Sequence, residues 1–244
     1  MSGGSRKAAA ERTARLPGHT TDGVRVLPPA TEGGERDQSE ALVRAAVTLF
    51  AARGFHAVTT RDIASAAGLS PAALYVHYPS KAELLYEIVI RAHVAGFRVM
   101  QEAWTTASRR GPAQRLRSVV AAQVRFNAEW REHAHVGNFE FMNLDEDPRK
   151  EVLALRRRTE QLVRGTLEEG VESGVFKPGH IELATTAILS LAVDVSRWYS
   201  PRKWSAAALA DAYADIALRI AGGRARRPAG ERATGHTPND IRIH

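Results

Sequence analysis

Residues 59–81 read Thr-Thr-Arg-Asp-Ile-Ala-Ser-Ala-Ala-Gly-Leu-Ser-Pro-Ala-Ala-Leu-Tyr-Val-His-Tyr-Pro-Ser-Lys, and this stretch decides the fold. Thr59 followed three residues later by Asp62 is the pattern of a reciprocal helix cap, hydroxyl to backbone N–H and carboxylate back to the cap N–H. Ile63, Ala64 and Ala67 then share one face. Gly68 can take the positive φ that ends a helix, with Leu69 folding back as its apolar contact. Ser70 is a second cap and Pro71 an N1 residue, so a short helix is expected from Pro71 to about His77, ended by Pro79. Two short helices separated by so tight a turn form a helix-turn-helix. The second has small residues in its exposed first turn and Tyr75, His77 and Tyr78 after it, a shape that suits a DNA groove. Ser80 and Glu83 repeat the capping pattern at the start of a third helix.

Phe50 to Gly54, Thr59 to Ala67, Gly68-Leu69-Ser70 and Leu74-Tyr75-Val76-His77-Tyr78-Pro79-Ser80-Lys81 resemble, in order and register, the DNA-binding domain of the TetR-type regulators. The resemblance covers about residues 39–89. By motif position and by resemblance, Ser70, Pro71, Ala72 and Tyr75 are expected at base edges. Thr60, Arg61, His77, Tyr78 and Lys81 are expected on phosphates. An ordinary helical hairpin with Tyr75 and Tyr78 as core aromatics would not need this turn chemistry.

Upstream, residues 1–38 are rich in Gly, Pro, Ser, Thr and charges of both signs, which reads as a solvated arm without a core. A basic arm reaching DNA is the alternative, weakened by acids that nearly cancel the cations. Ser39 is read as the cap of a helix through Arg53, with Leu42, Ala46, Leu49 and Phe50 on its apolar face. Downstream, the helix after Ser80 can run uninterrupted towards Ser108. Further helices are expected over residues 113–130, 133–142, 148–174, 181–199 and 205–221, and a disordered tail from Gly223. The expected fold is all-α: an arm (1–38), a helix-turn-helix domain (39–88), a larger helical domain for effector binding and dimerisation (89–222) and a tail (223–244).

The chain has 244 residues, 44% of them hydrophobic, a formal charge of +7 and no cysteine. That length allows two domains with separate cores. Between Ser39 and Ile88 the cations Arg44, Arg53, Arg61 and Lys81 are matched by Glu40, Asp62, Glu83 and Glu87. DNA binding there must therefore rest on helix N-termini and a few placed cations rather than on bulk charge. Without cysteine there is no disulfide framework or thiolate metal site, which fits a reducing, cytoplasmic setting. The opening residues lack the apolar core of a signal peptide and no apolar run is long enough to span a membrane.

Phe97, Met100, Trp104, Phe126, Trp130, Phe139 and Met142 are candidates to line an apolar cavity between the helices of the second domain, where the resemblance implies an effector. The same residue types fill cores, and sequence does not separate lining from filling. Arg156, Arg157 and Arg158 read first as a solvated face and second as a meeting point for a phosphate-bearing ligand. His133 and His135, two apart, point to different sides of a helix and lack a third ligand, so no metal and no cofactor are expected. The last two helices carry broad apolar faces, including Ala184, Ile188, Leu191, Leu209, Tyr213 and Ile216. The resemblance implies homodimerisation through them, and hence a palindromic double-stranded operator. Arg197-Trp198-Tyr199-Ser200-Pro201, with Trp204, Ala210, Asp211 and Tyr213, resembles the C-terminal domain of a subgroup connected with lipid and acyl-thioester metabolism.

These expectations converge on a ligand-responsive dimeric transcription regulator, most often a repressor. An architectural DNA binder would not need the cavity. An enzyme would need a nucleophile, metal or phosphate motif that the sequence lacks.

Overall fold

The computed structural model describes residues 34–223, all helix and connection, with no strand among the described residues. Helices α1 (Gly34–Arg53), α2 (Thr60–Ala66) and α3 (Pro71–His77) are followed by the long α4 (Lys81–Thr106), then α5 (Gly111–Glu129) and α6 (Arg131–Glu140). The chain closes with α7 (Glu146–Glu172), α8 (Ile181–Trp198) and α9 (Ala206–Ile220). One correction falls at the start: α1 begins at Gly34, so Ser39 lies inside it and is not its cap. The Ser39 hydroxyl instead meets Tyr78 OH at 2.8 Å. Residues 1–33 of the expected arm and 224–244 of the expected tail lie outside the described residues.

The caps read from sequence do the local work. Asp62 N–H donates to Thr59 Oγ1 at 3.1 Å and Thr59 N–H to Asp62 Oδ2 at 2.9 Å. Gly68, at φ +70°, donates to Ser65 O, and Leu69 N–H reaches back to Ala64 O at 2.8 Å. That pair of bonds satisfies carbonyls that a helix end leaves orphaned. Ser70 Oγ accepts from Ala73 N–H and Ser80 Oγ from Glu83 N–H. Glu83 makes no return bond, so only half of the second expected box forms.

Two apolar cores result. The first joins Leu42, Phe50, Ile63, Leu74, Leu84, Leu85 and Ile88 of α1–α4 with Val136 of α6 and Val152 of α7. The second gathers Met100 of α4, Leu116 and Val120 of α5, Val163 and Leu167 of α7, Ile188 and Val195 of α8, and Leu209 and Leu218 of α9. Burying Phe50 completely, as here, fixes α1; truncating such a ring to alanine costs about 3–5 kcal/mol. At 1.5 Å per residue α4 is roughly 39 Å long, and like α7 it contributes fully buried residues to both cores. Leu84, Leu85 and Ile88 at its start pack in the same core as Ile63 of α2 and Leu74 of α3.

Candidate DNA-binding surface and ligand chamber

Leu74 anchors α3 by a fully buried side chain, which turns the opposite face to solvent. Ser70, Pro71 and Ala72 are exposed, Tyr75 is 54% exposed and Val76 76%. Thr60 and Arg61, in the first turn of α2, lie beside this face: Thr60 Oγ1 is 3.3 Å from Tyr75 OH. His77 Nε2 meets Gln38 Oε1 at 3.5 Å. The structure thus brings together Thr60 and Tyr75, with Arg61 exposed on the same helix turn as Thr60. Val76, the most exposed large apolar side chain of this surface, was not among the expected contacts, although it lies between two of them, Tyr75 and His77.

Two expected phosphate contacts are corrected. Tyr78 is only 5% exposed, and its hydroxyl is held by Ser39. Burial raises its phenol pKa, so it is a neutral core group. Lys81 Nζ donates to Phe55 O at 2.8 Å and Val58 O at 2.7 Å, and sits 4.2 Å from the centre of the Phe55 ring. It ties the α1–α2 connection to the start of α4, with one of its three N–H donors left over.

Beside a third, smaller apolar cluster of Ala95, Phe126 and Ala134 a chamber of about 150 Å³ opens between α4, α5, α6, α7 and α8. Its walls include Ala92, Gly96 and Phe97 of α4, Phe126 of α5, Gly137 of α6 and Leu189 and Val193 of α8. Polar groups converge on it: His93, Gln123, Asn127, Asn138, Arg156, Thr159 and the carboxylate of Glu160. His93 Nδ1–H donates to Val89 O at 2.9 Å, while its Nε2 accepts from Arg156 Nη1 at 3.4 Å. Desolvation pushes its pKa down to about 4, and the Arg156 charge adds to that, so the imidazole is neutral. Arg156 is half-buried, its own pKa lowered by burial. It lies 4.8 Å over the Phe141 ring and has no carboxylate partner among the described residues. A wider groove of about 360 Å³ lies between α4 and α5, lined by Val99, Ala103, Ala121 and Trp130, and Phe126 lines both spaces.

Of the seven expected cavity residues, Phe97 and Phe126 line the chamber and Trp130 lines the groove. The other four are corrected. Met100 is wholly inside the second core. Trp104 packs on that core with its indole N–H donating to Thr166 Oγ1. Phe139 pairs with His135 and carries the Arg197 guanidinium over its ring. Met142 is 60% exposed. Size and polarity are alike in all seven; which helical arc each occupies decides the outcome. Gln123, Asn127 and His93 were missed, although the spacing of Gln123 and Asn127 on an otherwise apolar α5 face is visible in the sequence. Among the described residues no group of three His, Cys, Asp or Glu could hold a metal ion. His133 and His135 lie against different aromatic rings, Trp130 and Phe139.

Helix α6 belongs to both sites. Ala134, Gly137 and Asn138 face the chamber. Its last residue, Glu140, accepts from Phe55 N–H at 3.2 Å and from Asn143 Nδ2–H at 2.6 Å. At its other end Glu132 Oε2 accepts from the Thr48 hydroxyl of α1 at 3.1 Å.

Of the residues expected on the assembly face, Ala184, Ile188 and Leu209 are corrected, being buried within the chain's own core, while Leu191 is exposed and Tyr213 and Ile216 are partly buried. Leu183, Trp198 and Trp204 are exposed as well. No helix among the described residues is long and apolar enough to cross a membrane.

Comparison with known proteins bears on both halves. Residues 42–88 match the bacterial regulatory proteins, tetR family. Residues 109–221 match the tetracyclin repressor-like C-terminal domain. The HTH-type transcriptional repressor KstR2 of Rhodococcus jostii (strain RHA1) is 32% identical over 190 residues, 71% of this chain and 86% of that protein. The crystal structure of a bacterial regulatory protein in the tetR family from Rhodococcus RHA1 is 34% identical, with a TM-score of 0.72 over 77% of this chain and 98% of that one. AibR, solved in complex with isovaleryl coenzyme A and operator DNA, has the same fold at 18% identity, with a TM-score of 0.64 over 77% of this chain and all of that one (100%). The helix-turn-helix, the long α4 and the helical domain behind it are therefore those of a known lineage, and the chain belongs to the TetR family of bacterial transcriptional regulators, which are not enzymes.

Proposed function

We propose that the chain is a homodimeric repressor whose α3 reads a palindromic operator and whose chamber takes the acyl end of a coenzyme A thioester or a related lipid-derived compound. The observation that carries this reading is the double duty of α6: three of its residues wall the chamber while Glu140 holds the backbone of the α1–α2 connection. A ligand that prefers one placement of α6 must also bias the DNA-binding helices, because only differential affinity for two states shifts an equilibrium. The thioester assignment draws on Arg156, a half-buried guanidinium at an apolar wall with no carboxylate partner among the described residues, which suits a phosphate or carboxylate. It also draws on the isovaleryl coenzyme A complex of AibR, a protein with the same fold. About 150 Å³ holds a group the size of benzene, so a short, branched or cyclic acyl group enters with at most the nearest amide of the carrier arm, and the rest of the carrier stays outside.

On DNA, Ser70, Pro71, Ala72, Tyr75 and Val76 approach bases, and Thr60, Arg61 and His77 meet phosphates, with Lys81 adding at most its one free N–H. Fluorescence anisotropy with DNA flanking the gene tests this division. Arg61→Ala should weaken specific and random DNA alike and lower the salt slope by about one, whereas Ala72 variants should change which sequence is preferred. An Arg61→Ala protein with unaltered affinity and salt slope would remove the phosphate assignment.

A further inference from the structure

Two oxygens in the chamber wall, Gln123 Oε1 and Asn127 Oδ1, are buried with no hydrogen-bond partner among the described residues. Their side chains are 8% and 0% exposed. Four residues apart on α5, they lie one turn from each other on one face. The orientation of Asn127 is set, because its Nδ2–H donates to Ala192 O at 2.8 Å. The free end of that amide is therefore an acceptor. Gln123 Oε1 lies beside Gly96, where a Cβ would stand 3.9 Å away, and Gly96 is itself a chamber wall residue. The nearby polar groups do not serve these oxygens: His93 Nδ1–H is committed to Val89 O, and Arg156 Nη1 to His93 Nε2. Most buried acceptors in folded proteins have a donor, and two unpaired ones on residues one helical turn apart in the chamber wall mark a place where a ligand supplies it.

We infer that the chamber selects a ligand whose enclosed, ring-sized end carries a neutral hydrogen-bond donor, an O–H or N–H, set between Gln123 Oε1 and Asn127 Oδ1. This rests on the reading of the chamber as the effector site and narrows it. Within a thioester the donor has two sources, a hydroxyl on the acyl group or an amide N–H of the carrier arm. A plain hydrocarbon end leaves both oxygens unpaired and is disfavoured.

Small probes separate these cases without a thioester or DNA. NMR titration of the full chain would give affinities for phenol against fluorobenzene, and for N-methylacetamide against N,N-dimethylacetamide. In each pair the two molecules are similar in size and only the first has a donor. Gln123→Leu removes one acceptor without touching the Asn127 bond to α8, and Gln123→Met serves if the first variant does not fold. The donor-to-non-donor affinity ratio should fall by about three- to tenfold from wild type to variant for at least one pair, the worth of one such bond. A fall in the phenol pair places the donor on the acyl group, and a fall in the amide pair places it on the carrier. Ratios unchanged in both pairs overturn the inference. Because the probes contain no acyl carrier, a positive result stands even where thioesters fail to release DNA, so the two proposals fail separately.

Discussion

His93 shows how one side chain can tie the stability of the fold to pH. Its ring is held neutral by burial and by Arg156 beside it, with a pKa near 4. The unfolded chain takes up a proton at about pH 6.5, its ordinary value. The folded state therefore binds fewer protons between those limits, and stability, full above pH 6.5, is lost as pH falls towards 4. Burial lowers His133 and His135 as well, with the same sign. Urea denaturation at pH 7 and pH 5 should show the wild type losing about 2 kcal/mol from His93, the part of the window that lies above pH 5. His93→Gln, which can keep the donor to Val89 O, should lose visibly less; equal losses would mean that His93 is not held neutral. At this scale the sequence was readable only where chemistry is local. The Thr59, Ser70 and Ser80 caps each need one neighbour within three residues. The engagement of Tyr78 with Ser39, or of Lys81 with two carbonyls, depends on a partner more than twenty residues away, and nothing in the motif announces it.

Among the elements, α6 is the one whose position matters most, and Gly137 sets how closely it can lie. A Cβ there would come within 2.9 Å of the Ala92 Cβ on α4. Neither atom is the tip of a flexible side chain, so Gly137→Ala must push α4 and α6 apart, as an occupant of the chamber would. Overpacking of this kind costs about 1–3 kcal/mol of stability. The variant should bind operator at least roughly fivefold more weakly without any ligand, the lower end of typical allosteric coupling. A variant that is destabilised yet keeps its full operator affinity would show that the spacing of these two helices does not reach α3. The element boundaries were largely legible, because Gly, Pro and cap residues punctuate the chain. The chamber was not, since Phe97 lines it and Met100, one turn further along the same helix, fills the core.

In the whole molecule the open question is which surface meets the second subunit. Helix α8 is apolar around most of its circumference, so the sequence pointed to an interface without fixing the arc. Ala184 and Ile188 face inward, while Leu183, Leu191 and Trp198 are exposed along α8 and Trp204 is exposed on the connection to α9. A patch of this kind on a monomer marks an interaction site. Leu191, 41% exposed, can carry a charge in the isolated chain but not in a dry interface. Leu191→Glu should therefore give a folded monomer by light scattering, with operator binding weakened accordingly; a stable dimer would move the interface elsewhere.

In the proposed mechanism, occupancy of the chamber changes the separation of two DNA-binding domains. The chain has no cysteine, so a single Ala52→Cys on the exposed side of α1 places one spin label on each DNA-binding domain of a dimer. Pulsed electron resonance then reads the label-to-label distance in the operator complex, where half-site spacing holds the recognition helices about 34–36 Å apart or slightly more. Adding a short branched or cyclic acyl thioester of coenzyme A that carries a hydroxyl on its acyl group should shift that distribution and release the DNA, while coenzyme A and the free acids should do neither. A distance distribution that stays the same with the chamber demonstrably filled would contradict the account.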